Sequence, residues 1–139
     1  MGSKKVYITQ SAMYAFIDRS DSKHQMAGAY FRFFAQEGYH LYTSPSTIMS
    51  TYERIATHMS HSIAREFLQT IFTSTIDIMY VDEPLMKSAA KLVITTTSAH
   101  LTLEQAITNI VCDRSQTPII CTFEYFPFLF GTRAFTLPY

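Results

Sequence analysis

The stretch Val6-Tyr7-Ile8-Thr9-Gln10-Ser11-Ala12-Met13-Tyr14-Ala15-Phe16-Ile17 decides the fold. Val6-Tyr7-Ile8 is β-branched and aromatic, which predicts a buried strand. Thr9-Gln10-Ser11 interrupts the apolar run with small polar groups. Ala12, Ala15 and Phe16 then fall on one side of a short helix over Ser11–Ile17. A strand passing directly into a helix is the first half of a βα unit, and the chain repeats the alternation. Asp18 to Ser22 is a loop. Asp21 or Ser22 is expected to cap a helix reaching Glu37, with Met26, Ala29, Tyr30, Phe33 and Phe34 at helical spacing and Gly38 just past its end.

Working outward, His40–Thr43 is a second strand. Ser44-Pro45 opens a helix to about Met59, with Ser44 expected as its cap and Pro at the first helical position, where a missing N–H costs nothing. A further helix covers His61–Phe72. Ile76–Tyr80 is a third strand, and Asp82 caps a helix to about Thr96. Thr102–Asp113 is another helix. Pro118–Thr122 is a fourth strand, apolar enough to be covered on both faces. An edge strand is expected near Phe135–Leu137. Strands alternating with helices predict an α/β fold: a three-layer α/β/α arrangement around a central, mostly parallel sheet of four or five strands. Ligands of such sheets sit beyond the carboxyl ends of the strands. The residues to interrogate are therefore Thr9–Ser11, Thr43-Ser44, Tyr80–Asp82 and Thr122–Glu124.

A chain of 139 residues is expected to form one domain over 1–139. Gly2-Ser3 reads as a cloning remnant, so residues 1–3 are expected to lie outside the fold. With 47% hydrophobic and 16% charged residues, a disordered chain is excluded. Eleven basic residues balance eleven acidic ones, so the excess cation that drives sequence-independent nucleic-acid binding is missing. Two cysteines, Cys112 and Cys121, fit a reducing compartment. No apolar stretch is long enough to span a membrane and no leader pattern opens the chain, so a cytoplasmic protein without membrane contact is expected.

Several segments, in order, resemble the PIN domain, the small nuclease fold that includes VapC-type toxins. Val6 to Ala15 is similar to its opening strand and helix. Asp18 to Ala27, with His24, resembles the following loop. Leu41 to Tyr52 resembles the second strand and the helix carrying the family's Glu. Leu101-Thr102-Leu103-Glu104-Gln105-Ala106 looks like the helix start carrying its third acid. Cys121-Thr122-Phe123-Glu124-Tyr125-Phe126 is similar to its late Thr-x-Asp-x-x-Phe strand end.

The resemblance implies a ring of four acids that holds Mg or Mn for RNA hydrolysis. In this sequence the matching positions are Thr9, Ser50, Gln105 and Glu124. Hard divalent ions need anionic oxygens to offset their dehydration, so one carboxylate among neutral neighbours binds metal weakly. No confident catalytic residue and no cofactor is therefore expected; a metal, if any, would sit at Glu124. Glu53 and Glu104 are the candidate substitute acids. Glu53 lies one turn after Ser50. Glu104 precedes Gln105 and, turned about 100° from it, is expected to face solvent. Gln105 itself fits a Thr102-x-x-Gln105 capping box. Thr9 and Ser11 read as groups that satisfy the backbone at the strand-to-helix turn.

His58 and His61 share a helical face but lack further ligands at zinc spacing. The buried-thiol reading suits both cysteines. Arg19 and Lys23 are expected near the cleft mouth. The aromatic tail, notably Phe128, Leu129, Phe130 and Tyr139, exceeds what one core requires and is the candidate partner surface. The first functional expectation is a PIN-like protein-binding and oligomerising module, derived from a toxin–antitoxin toxin and without hydrolysis, forming a homodimer or gripping another protein. Two alternatives stay open: a Mg/Mn-dependent ribonuclease with a slipped acidic site, and a metal-free RNA-binding module.

Overall fold

The computed structural model describes residues 4–97 and 100–124, and the backbone of 133–134. Its elements are β1 (Lys5–Ile8), α1 (Gln10–Ile17), α2 (His24–Gln36), β2 (His40–Thr43), α3 (Pro45–His58), α4 (His61–Thr73), β3 (Asp77–Ile78), α5 (Glu83–Thr95), α6 (Leu103–Arg114), β4 (Ile119–Cys121) and β5 (Arg133–Ala134). All strand pairs are parallel, in the order β3-β2-β1-β4-β5. The chain builds outward from β1 to β2 and β3, then crosses back to lay β4 on the other side of β1. That reversal puts a crevice at the carboxyl ends of β1 and β4.

The period-2 alternation of the strands sorts the core into two layers. Val6 and Ile8 of β1, with Cys121 of β4, face α1–α4, where they pack with Met13, Tyr30, Phe34, Ile48, Ile55 and Phe67. Tyr7 and Ile120 point the other way, onto Leu85 and Ala89 of α5 and Ala106, Ile107 and Val111 of α6. Phe34 is fully buried and meets Phe31, Phe33 and Tyr39 at ring distances of 5.3–6.4 Å. Truncating such a side chain costs about 3–5 kcal/mol. Tyr7 is equally buried, and its phenol bonds to the hydroxyls of Ser44 at 2.6 Å and Thr47 at 2.7 Å. Burial pushes its pKa up, as expected for a phenol whose charged form has no solvent.

The punctuation is largely where the sequence puts it. Gly38 takes φ +72° after α2, and Pro45 opens α3. Asp82 accepts from the Leu85 N–H at the start of α5. The capping box of α6 is complete: Gln105 N–H donates to Thr102 Oγ1, and Thr102 N–H donates to Gln105 Oε1.

Three local expectations change. α2 begins at His24, not after Asp21 or Ser22, because Asp21 Oδ1 accepts from Lys23 N–H and holds a turn before the helix. Ser44 sits at the cap position of α3, but its hydroxyl turns to Tyr7 and Ser46 instead of capping. The third strand shrinks to Asp77–Ile78, since it lies at the sheet edge and only β2 pairs with it. An edge strand joins β4 at Arg133–Ala134, next to the expected Phe135–Leu137, which lies outside the described residues. No helix among the described residues is long and apolar enough to cross a membrane.

Candidate functional site

The crevice is closed from below by hydroxyls. Thr9 is buried, and its Oγ1 donates to the Cys121 carbonyl at 2.9 Å, tying β1 to β4 where β1 ends. Ser11 Oγ accepts from Phe123 N–H at 2.9 Å and lies 3.2 Å from both Thr9 Oγ1 and Thr122 Oγ1. Both residues thus satisfy the backbone of the strand-to-helix turns, as their sequence context indicates. Thr9 offers only a neutral hydroxyl, donating to the Cys121 carbonyl, in the place where the resemblance puts the first acid.

Ser50 and Arg54 lie one turn apart on one face of α3. Ser50 donates to Glu104 Oε2 at 3.0 Å. Glu104 therefore turns inward, where a solvent-facing side chain was expected. The physical reason is the capping box. Gln105 is bent back onto its own helix start, so the preceding position is the one that meets α3. Burial, then repulsion from Glu124, raises the Glu104 pKa against the pull of the Ser50 hydrogen bond. Burial also raises Glu124, while the Arg54 charge pulls it down. Glu104 thus senses the charge of Glu124. Glu53 is exposed on α3.

Arg54 is held from two sides. Its Nη1 donates to Gln10 Oε1 at 2.7 Å, and its guanidinium carbon lies 3.9 Å from the centre of the Tyr14 ring. The Tyr14 hydroxyl donates to Asp18 Oδ2 at 2.6 Å, and Asp18 Oδ1 accepts from Ser20. Burial first, then the Asp18 contact, pushes Tyr14 up to about 12. The Ser20 hydrogen bonds, then Tyr14, hold Asp18 below its usual value. Beside this assembly is a polar cleft of about 280 Å³ bordered by Ser11, Asp21, Lys23, Arg54, Phe123 and Glu124. Lys23 thus reaches the cleft as expected. Arg54 is the residue that sequence reading missed, although it lies four positions after Ser50.

Other candidates fall elsewhere. Tyr80 is exposed and Asp82 caps α5. His24 Nδ1 bonds to the Ala15 carbonyl, and His58 Nδ1 to the Arg54 carbonyl, both within the helical layer. Cys112 and Cys121 are buried free thiols. Phe128, Leu129, Phe130 and Tyr139 lie outside the described residues.

A second concavity was not anticipated. Between α1, α2 and α4 runs an apolar groove of about 380 Å³ lined by Met13, Phe16, Ile17, Phe31, Ile63, Phe67 and Ile71, among others. Glu66 is the one charged side chain among its described lining residues. Phe16, at its rim, leaves 48% of its surface exposed. The sequence signal was there: Met13, Phe16 and Ile17, then Ile63, Phe67 and Ile71, recur every three to four residues on their helices.

This arrangement of layers and strands is the PIN-like α/β/α fold of VapC-type toxins. The chain superposes on Mycobacterium tuberculosis VapC20, a Sarcin-Ricin loop cleaving toxin, with a TM-score of 0.77 at 15% identity, covering 86% of this chain and 89% of that one. It also matches VapBC2 from Rickettsia felis, bound to a DNA fragment from their promoter, with a TM-score of 0.67 at 9% identity over 93% and 96% of the two chains. No family profile and no curated protein matches the sequence.

Proposed function

We propose that this chain is a protein-binding module on a VapC-like PIN fold, without metal-dependent RNA hydrolysis, and that the α1–α2–α4 groove is where it holds its partner. The groove carries the reading. It is open and almost wholly apolar, with a half-exposed aromatic ring at its rim. An amphipathic helix laid into such a groove buries its own apolar face and removes the exposed rings from water. VapBC2, one of the fold neighbours, is by its name a two-component assembly, which is in keeping with a protein partner.

The cleft supports the loss of hydrolysis. A hard divalent ion requires carboxylate or other oxygen donors in sufficient charge. Among the described residues no three His, Cys, Asp or Glu side chains come together to hold one. Glu104, Glu124 and Asp21 remain, but Asp21 Oδ1 already accepts from Lys23 N–H, and the Arg54 and Lys23 cations border the same space as Glu124. That donor set is a poor match for Mg or Mn, so no reaction step is derived through a metal.

A second reading draws on one observation: the inward turn of Glu104 supplies a displaced acid opposite Glu124. It would make the chain a Mg/Mn-dependent ribonuclease, and the guanidinium in the cleft argues against it.

The partner-binding reading is tested by hydrogen exchange on the complex that the tagged chain forms in its source cells. Partner-dependent protection is expected in residues 13–17 and 63–71. Protection confined to Ser11, Arg54 and Glu124, with none in the groove, contradicts it. Chromatographic mass of the free chain tells a second copy from a different protein as the occupant.

A further inference from the structure

We propose that Arg54 is a built-in cation standing in for a divalent ion beside Glu124, so that the cleft itself offsets the charge of that carboxylate. The proposal rests on the reading that this cleft does not work through a metal, and it is independent of the groove.

Three observations on separate elements converge on it. The guanidinium borders the same cleft as Glu124, and its charge acts on that carboxylate. It is fixed there, by the 2.7 Å hydrogen bond to Gln10 and by the Tyr14 ring 3.9 Å beneath it. A pinned guanidinium loses less freedom on pairing than a mobile one, and it keeps its charge at any physiological pH. Finally, the neighbouring oxygens are already engaged, and Lys23 adds a second cation to the border of the cleft. Thr9 is neutral and its hydroxyl is committed to Cys121. Asp18 is engaged by Tyr14 and Ser20. Glu104 already accepts from Ser50.

A dication entering beside Glu124 would meet the fixed charge of Arg54 on the border of the same cleft, and that repulsion adds to the cost of dehydrating the ion. The arginine therefore does what bound metal does for such carboxylates, and blocks metal from doing it.

The test is manganese titration of the full chain, read from the free-ion electron paramagnetic resonance signal. The wild type is expected to bind in the millimolar range. Arg54→Gln is expected to bind at least about tenfold more tightly, because one repelling unit charge is gone. Arg54→Met preserves packing over Tyr14 and is expected to show the same gain, which covers the case in which the Gln variant folds poorly. Arg54→Lys keeps the charge and is expected to stay near wild type. Adding Glu124→Gln to Arg54→Met is expected to erase the gain. Wild-type affinity as tight as that of Arg54→Met, or a gain that survives loss of Glu124, overturns the proposal. A failed groove reading would appear in the exchange experiment and leave these titrations unchanged.

Discussion

Phe16→Ala is the perturbation that weighs the groove. The ring sits at the end of α1 with 48% of its surface free, and it packs on Phe31 at a centroid distance of 4.8 Å. A phenylalanine carries roughly 200 Å² of contact area, so about 100 Å² remains for a partner to cover. At about 25 cal/mol per Å² that is about 2.5 kcal/mol, or roughly 70-fold in dissociation constant. The same truncation costs the free chain about 2–3 kcal/mol, from the buried half of the ring and its contact with Phe31. Both effects must therefore be measured. Chemical denaturation gives the stability loss, and interferometry with the partner recovered from source cells gives the affinity. Conditions that keep the variant folded separate the two. A folded variant whose affinity falls less than about threefold would refute the assignment of the groove as the binding surface.

Three further outcomes follow from particular contacts. Glu104 has a native pKa above its ordinary 4.5, so the folded chain holds its proton more tightly than the unfolded chain. Stability from this group is present below about pH 4.5 and is lost as pH rises through the native value. Glu104→Gln keeps an acceptor for Ser50 and removes the charge. Its melting temperature should gain on the wild type with rising pH above 4.5, then level off; a pH-independent difference contradicts this. Thr102→Ala breaks the α6 capping box and should cost about 1 kcal/mol, roughly 3–5 °C in a melting scan. Burial pushes both thiols up to about 12, so Cys112 and Cys121 should resist a thiol reagent in the folded chain and react together once denaturant unfolds it.

Much of the architecture is legible in the residues because local signals agree with global packing there. Tyr7 between Val6 and Ile8 already indicates a strand covered on both faces, and Gly38, Pro45, Asp82 and Thr102 mark helix ends by their own chemistry. What escaped needs tertiary context. Asp21 has the makings of a helix cap, yet a turn claims its carboxylate first. Ile76–Tyr80 reads as a five-residue strand, but its length is set by β2 beside it, which pairs only with Asp77 and Ile78. The site shows the same division. Thr9 and Gln105 are explained by their neighbours in sequence. The direction of Glu104 needs tertiary context, because the Ser50 hydroxyl that holds it comes from α3, far from it in sequence. Arg54 escaped because attention to substitute acids led to Glu53, although the position four after Ser50 shares its face as closely as the position three after.

Whether the cleft cuts RNA is decided most directly by incubating an RNA oligomer with the chain in saturating manganese, beside the Glu104→Gln/Glu124→Gln double variant. The account predicts the same background for both proteins. Manganese-dependent cleavage by the wild type that the double variant lacks would contradict it.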